Sequence, residues 1–251
     1  MTLKVEWKNG HTSLPPSSTI LIAFPGIANL GKVAVESIRE LDSSTEVARL
    51  HPDGLPPHAR LDEDGLLAPP HFSVCETRTS TGCHLLTLTG AGQPTEPTQQ
   101  SIVGKEMMTF FAQQRVETVL VLAGMIDAPE RKETFAVASS ASFRIDREAM
   151  GVDVRRDEPR GGAIGLGALL ASTGPLYDMN SACIIASSVG SSQDILGSQR
   201  MIEHLERWFN FGLTLPSDGG EWLKEKLRAL APEAKEDLVR EMTASHDAFY
   251  M

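Results

Sequence analysis

The first strong pattern in the chain is a short apolar run, followed by a glycine-containing turn and an amphipathic stretch. Residues 20–24, ILIAF, are continuously apolar and of strand length, which is typical of a strand covered by helices on both faces. Pro25 and Gly26 end this run. From Val33 to Leu41 apolar residues recur with helical spacing, with charged residues between them. The pattern predicts a strand, a turn and a helix.

Apolar runs and helically spaced apolar positions alternate along the chain as far as residue 211. The predicted strands cover residues 3–7, 47–50, 72–75, 83–89, 118–123, 134–139 and 183–187. The predicted helices cover residues 98–114 and 192–211, and another helix starts within 161–173. This order predicts an α/β fold of three layers with a largely parallel or mixed central sheet. We expect strand 3–7 at a sheet edge and strands 72–75 and 83–89 in a hairpin.

Two regions depart from this alternation. Residues 51–71 carry five prolines among acidic residues and glycines, which predicts a long surface excursion that is mobile or lies at an interface. Beyond Pro216 the composition becomes charged, and residues 219–230 and 232–243 have the apolar stripes of two helices. We therefore predict two units, an α/β domain over residues 1–215 and a helical appendage with a C-terminal tail over residues 216–251.

Composition narrows the classes of partner. The chain has 251 residues with 41% hydrophobic content and a net charge of −10, which disfavours nucleic acid and anionic membranes as partners. No apolar run approaches the roughly 20 residues that span a bilayer, and the N-terminal residues lack the apolar core of a signal peptide. The three cysteines form no paired motif, which is typical of reduced thiols. We expect a cytoplasmic protein.

The turn after the first buried strand has most of the spacing of a phosphate-binding loop. Gly26 and Gly31 are separated as that loop requires, and Lys32 follows. Val33 stands where the loop needs a Ser or Thr to ligate magnesium, and a valine cannot hold the metal. Glycines here also suit a tight turn and close packing of the helix on the sheet, so both interpretations stay open.

A second glycine-rich stretch precedes the helix that starts within 161–173. Gly161, Gly162 and Gly165 expose backbone donors that can cradle a phosphate at a helix N-terminus, although close helix packing explains them equally. The histidines and cysteines of residues 51–84 lack the spacing of zinc ligands, and no serine lies in a GxSxG motif. No catalytic residue, cofactor or metal site is predicted.

Three segments carry a resemblance to a known family. The stretches FPGIANLGKVAVESIREL, VLVLAGM and GGAIGLGALLASTGPLY, in that order and followed by a strand and a long helix, resemble the proteasome assembly chaperones, including their archaeal members. The resemblance covers most of residues 19–213. It implies an α/β fold similar to that of nucleoside phosphorylases. Members of the family are sometimes labelled as relatives of ATP-grasp ligases.

The last three residues, Phe249, Tyr250 and Met251, add a second resemblance. A hydrophobic residue, a tyrosine and a final residue with its carboxylate form a pattern similar to the tails that proteasome activators insert between α-subunits of the core particle. A terminal carboxylate can pair with a lysine in a pocket, while the tyrosine ring supplies rigid apolar area and a hydroxyl. Alternatively, the two aromatic residues fold back on the domain as a latch.

The predicted function is that of a non-enzymatic chaperone or activator that forms a homo-oligomer and binds proteasome core α-subunits through several copies of its tail. The alternative is an enzyme, a nucleotide-dependent ligase or a phosphorylase-like hydrolase, with Gly26, Gly31, Lys32 and the loop 161–167 lining its site. A scaffold for another partner is a third possibility.

Overall fold

The computed structural model describes residues 3–61, 65–190, 194–213 and 215 of the chain. Its strands are β1 (Lys4–Trp7), β2 (Thr19–Ala23), β3 (Ser44–His51), β4 (Arg60–Leu61), β5 (Leu67–Ala68), β6 (Phe72–Arg78), β7 (His84–Gly90), β8 (Thr118–Ile126), β9 (Thr134–Ala138) and β10 (Asn180–Ser188). Its α-helices are α1 (Leu30–Leu41), α2 (Pro97–Gln113), α3 (Ala141–Ala149), α4 (Leu166–Thr173) and α5 (Ile195–Phe209). Short 3-10 turns cover Ile27–Asn29 and Gly174–Tyr177.

Eight of these strands form one mixed sheet in the order β1-β3-β6-β7-β2-β8-β10-β9, and β4 pairs with β5 in a separate hairpin. The four strands β7, β2, β8 and β10 run parallel to one another. The outer pairs β1–β3, β3–β6, β6–β7 and β9–β10 are antiparallel. The edge position of β1 and the hairpin of β6 and β7 confirm the predictions made from the sequence.

The sheet is the middle of three layers, as its apolar pattern predicts. On one face, α2 and α4 pack on a core that contains Phe72, Phe111 and Phe135. On the other face, α1 and α5 cover a second core that contains Leu30, Ile38 and Leu205. Burial of apolar side chains on both faces stabilises the parallel strands, which is why β2 reads as a continuous apolar run.

The structure adds features that the apolar pattern missed. Helix α3 was not predicted, because its sequence is mostly polar and Phe143 is its buried residue. Ser140 caps this helix by accepting a hydrogen bond from the Phe143 backbone N–H at 3.2 Å. Strand β10 begins earlier than predicted, at Asn180, because the polar Ser181 is buried and donates to the Ala171 carbonyl at 2.7 Å.

Several predictions fall on residues that the structure does not describe. The helices at 219–230 and 232–243, and the tail residues Phe249, Tyr250 and Met251, lie outside the described ranges. The division at residue 215 therefore stays a prediction. Among the described helices, none combines the length and the apolar character needed to cross a bilayer. Cys75, Cys83 and Cys183 are free thiols.

Candidate functional site

The parallel strands β7, β2, β8 and β10 end at the same edge of the sheet, which we call the carboxyl edge. After β7 the chain passes to α2 on one face, whereas after the adjacent β2 it passes to α1 on the other. A crevice opens at such a point in an α/β sheet because the two connections leave in opposite directions, and ligands commonly bind there. The carboxyl edge is therefore the place to look for a site.

The turn after β2 is built for close packing. Ala28 and Asn29 adopt left-handed backbone conformations, with φ of 52° and 48°, and α1 begins directly after them. A Cβ at Gly31 would overlap the carbonyl oxygen of Leu122 on β8, so only glycine lets α1 lie this close to the sheet. Lys32 forms an ion pair with Glu36 one turn along the same helix, at 3.6 Å.

The second glycine loop lies beside this turn. Gly161, Gly162 and Gly165 all have positive φ, so the chain can reach the start of α4 by a path that other residues would resist. Gln93, in the loop after β7, joins the two segments. Its amide N–H donates to the Pro25 carbonyl at 3.2 Å, and its carbonyl oxygen accepts from the Leu166 backbone N–H at 3.3 Å.

Two adjoining cavities, of about 380 and 740 Å³, open at this edge, and we call them together the cleft. Its walls are largely apolar, and the lining includes Phe24, Pro25, Ile27, Leu30, Gln93, Val121, Met125, Val137, Pro159, Ile164, Cys183 and Ile185. The predicted ligand-binding glycines Gly26, Gly31, Gly161, Gly162 and Gly165 also line it. Lys32 does not belong to the lining, because its side chain pairs with Glu36 on α1.

A group of ion pairs fixes the loop that carries the glycines. Arg131 donates to Asp127 at 2.9 Å, to Glu133 at 2.8 Å and to both carboxylate oxygens of Glu158 at 2.7 and 2.6 Å. The hydrogen bonds to Glu158, then those to Glu133, raise the pKa of the Arg131 guanidinium above its ordinary value. Arg155 also pairs with Glu158, at 3.0 Å. The loop over the cleft is thereby tied to the chain that follows β8.

The chemistry available in the cleft is limited. Burial raises the pKa of the Cys183 thiol to about 12, so the thiol is neutral and a poor nucleophile at neutral pH. Within the described residues, no group of three or more His, Cys, Asp or Glu side chains is arranged to hold a metal ion. The lining of the larger cavity also includes Arg156, Asp157, Glu158 and Arg160, so the cleft combines apolar walls with charged groups of both signs.

Sequence reasoning found the glycines but missed the groups that hold them together. Gln93 lies in the stretch GAGQPTEPTQQ, which reads only as a polar loop. Arg131 and Glu158 are 27 positions apart and carry no local pattern. The tail residues Phe249, Tyr250 and Met251 lie outside the described part of the chain, so the structure brings them to no site.

Comparison with known proteins assigns the family. Residues 20–234 match the profile of the PAC2 family. The chain belongs to the PAC2 family. No curated protein matches this PAC2 chain. The solved structures described below are each under 25% identical to it in sequence and therefore show the fold alone.

Three of these structures come from archaea and bacteria. Pyrococcus furiosus PbaB, an archaeal proteasome activator, has 18% identity and a TM-score of 0.73, over 97% of the PAC2 chain and 100% of PbaB. PbaA from the same organism, a homolog of proteasome-assembly chaperone, has 18% identity and a TM-score of 0.68, over 91% and 96%. The Mycobacterium tuberculosis proteasome-assembly chaperone homologue Rv2125 has 14% identity and a TM-score of 0.63, over 87% and 97%.

Proposed function

We propose that this chain is a non-enzymatic, cytoplasmic proteasome assembly chaperone or activator-like protein that forms a homo-oligomer. The family match over residues 20–234 carries the link to the proteasome, because solved relatives of the same fold are a proteasome activator and proteasome-assembly chaperone homologues. The partner is the proteasome core particle, and the contacting subunits are its α-subunits. The pKa of the Cys183 thiol, which burial raises to about 12, argues against a thiol nucleophile in the cleft.

The C-terminal residues supply the docking element in this proposal. Phe249 is the apolar anchor, Tyr250 supplies the ring and hydroxyl contacts, and Met251 carries the terminal carboxylate. A carboxylate paired with a lysine, together with a buried aromatic ring, gives a short peptide both orientation and affinity. Phosphate-binding residues are not needed for this role.

Hydrogen bonds near the last described residues fix the point at which the C-terminal segment leaves the domain. Ser80, in the turn between β6 and β7, donates from its backbone N–H and its hydroxyl to the Gly212 carbonyl, at 3.1 and 2.7 Å. The Glu206 carboxylate accepts from the Leu213 backbone N–H at 2.9 Å. These contacts hold the chain at the end of the sheet where β7 begins, opposite the carboxyl edge.

The test is binding of the full chain to purified proteasome core particles and to isolated α-subunits, measured by surface plasmon resonance. Deletion of residues 249–251 should abolish binding to both. Unchanged binding after the deletion would show that the contact lies on the folded domain. Absence of binding by the full chain would overturn the proposed function.

Point variants separate the contributions within the tail. Tyr250→Ala should weaken binding at least tenfold, since it removes both ring and hydroxyl, whereas Tyr250→Phe should lose less because it keeps the ring. Leu176→Asp, at a residue that is 80% exposed in the folded domain, is the matched control and should bind like the unmodified chain. Equal loss in Tyr250→Ala and in the control would argue against a tail-specific contact.

A further inference from the structure

Five of the large apolar side chains that the described residues expose lie where the chain leaves the parallel strands or enters the helices at the carboxyl edge. Ile27, Ile126 and Val189 follow or end the strands β2, β8 and β10, and they are 39%, 65% and 55% exposed. Ile164, in the glycine loop, is 98% exposed, and Leu196, at the start of α5, is 58% exposed. Clustered exposed apolar residues of this kind mark a protein interaction surface rather than a random surface distribution.

The segment between β3 and β6 adds to this surface. The arm, residues 52–61 and 65–70, leaves β3 and returns to β6 at the carboxyl edge, where Phe72 of β6 lies opposite Gly90 of β7. Leu61 of β4 is the cross-strand partner of Leu67 of β5, and the two are 70% and 74% exposed. Directly opposed residues of an antiparallel pair lie on one side of the hairpin, so these leucines form one apolar knob.

The knob and the cleft are separate features of one edge. The lining of the cleft includes no described residue of the arm, so the knob does not fill the cleft of its own chain. The arm leaves the sheet between β3 and β6, whereas the cleft lies over β2, β8 and β10. The first part of the arm packs beside the cleft, since a Cβ at Gly54 would lie 2.9 Å from the side chain of Gln99, the neighbour of the lining residue Gln100.

An edge that carries both a knob and a separate cleft is complementary to itself. When two copies meet edge to edge about a two-fold axis, the knob of each copy lies over the cleft of the other, and both contacts form at once. A contact passed from copy to copy around a ring would instead need the knob and the cleft on different sides of the domain.

The exposed area fits a stable pair. The apolar side chains named above offer on the order of 500 Å² per copy, since a fully exposed large aliphatic side chain presents about 100 Å². Because apolar atoms make up about 60% of an interface, the whole contact would bury about 800 Å² per copy, which is the size of a standard interface.

We propose that the partner at this edge is a second copy of the same chain, with Leu61 and Leu67 of each copy inserted into the cleft of the other beside Ile164. This inference rests on the self-association in the proposed function, and it places the interface at the carboxyl edge. The oligomer then contains an even number of copies, because it is built from two-fold pairs.

The first test measures the mass of the full chain by light scattering after size-exclusion chromatography. The unmodified chain should have at least twice the mass of the monomer, and Leu61→Asp with Leu67→Asp should halve the mass. Leu176→Asp, equally exposed but in the 3-10 turn before β10, should keep the mass of the unmodified chain. Circular dichroism melting checks that the variants stay folded. A monomeric or odd-numbered unmodified chain, or an unchanged mass in the double variant, would overturn the proposal.

A cross-link locates the contact. Two single variants, Leu67→Cys and Ile164→Cys, both in a Cys83→Ser background, are mixed and oxidised. A disulfide dimer should form in the mixture faster than in either variant alone, and its absence would refute the insertion of the knob.

Binding to core particles is measured on the same variants. A double variant whose mass is halved but that still binds core particles upholds both proposals. Tail deletion that abolishes core binding but leaves the mass unchanged separates docking from self-association. An unmodified chain that pairs but does not bind core particles overturns the proposed function alone.

Discussion

Gly31 shows how one residue decides the spacing between a helix and the sheet. Its backbone conformation is helical, so no positive φ requires glycine there; the requirement is space, because a Cβ would overlap the Leu122 carbonyl oxygen. Glycine is required at position 124 on β8 for the same reason, since a Cβ on Gly124 would lie 2.5 Å from the Ile27 carbonyl oxygen. Two glycines therefore let the turn after β2 press against β8, and this contact shapes one wall of the cleft.

Gly31→Ala should therefore destabilise the fold. The new methyl group meets backbone rather than a flexible side chain, so α1 must move, and we expect the free energy of unfolding to fall by about 2–4 kcal/mol in urea titrations. Gly26→Ala is the matched control from the same turn. A Cβ at Gly26 has its nearest neighbour, the Phe24 carbonyl oxygen, at 3.8 Å, so its effect should stay below about 1 kcal/mol. Equal effects of the two substitutions would refute the packing role of Gly31.

At the scale of elements, the carboxyl edge is held by links between loops rather than by the helices alone. Gln93 connects the turn after β2 with the start of α4, and Arg131 connects the chain after β8 with Glu158 before the glycine loop. Gly161 and Gly162 have no atoms within 4 Å of an added Cβ, so little packing restrains this loop. The side-chain links therefore determine its position over the cleft.

Gln93→Ala should loosen that loop without unfolding the domain. Loss of two side-chain hydrogen bonds is expected to lower the free energy of unfolding by about 1–2 kcal/mol. Amide hydrogen exchange of residues 161–169, followed by mass spectrometry, should accelerate, because local opening becomes easier. Gln113→Ala, at an exposed position at the end of α2, is the control and should leave this exchange unchanged. Unaltered exchange in Gln93→Ala would contradict the bridging role.

At the scale of the whole molecule, the proposed self-association surface and the point where the C-terminal segment begins lie at opposite edges of the sheet. The knob and the cleft lie at the carboxyl edge, whereas Gly212 is held at the turn between β6 and β7, where the parallel strands begin. In a pair joined at the carboxyl edges, the two points at which the chain continues to its C-terminus lie about 60 Å apart or more, given strands of up to nine residues at about 3.3 Å each.

This separation predicts weak cooperation between the two tails of one pair. Avidity requires both tails to reach one target at the same time, and the gain from the second tail falls as the distance between the two departure points grows. Leu61→Asp with Leu67→Asp should therefore change the apparent Kd for core particles by less than about threefold, whereas deletion of residues 249–251 removes binding. Surface plasmon resonance at low core-particle density measures both values. A loss of more than about thirtyfold in the double variant would show that paired tails act together.

The sequence by itself determined the α/β class, most strands and the three layers, because strand and helix periods are local and a strand buried on both faces reads as an apolar run. It also singled out Gly26, Gly31, Gly161, Gly162 and Gly165. Only the tertiary structure decided that these glycines line one cleft and that Lys32 pairs with Glu36 instead of entering it. The sequence also did not predict helix α3, the role of Gln93 or the pairing of Arg131 with Glu158. Gln93 and the Arg131–Glu158 pair depend on contacts between residues distant along the chain, which no local period encodes, and α3 buries only Phe143, so its apolar period is too weak to detect.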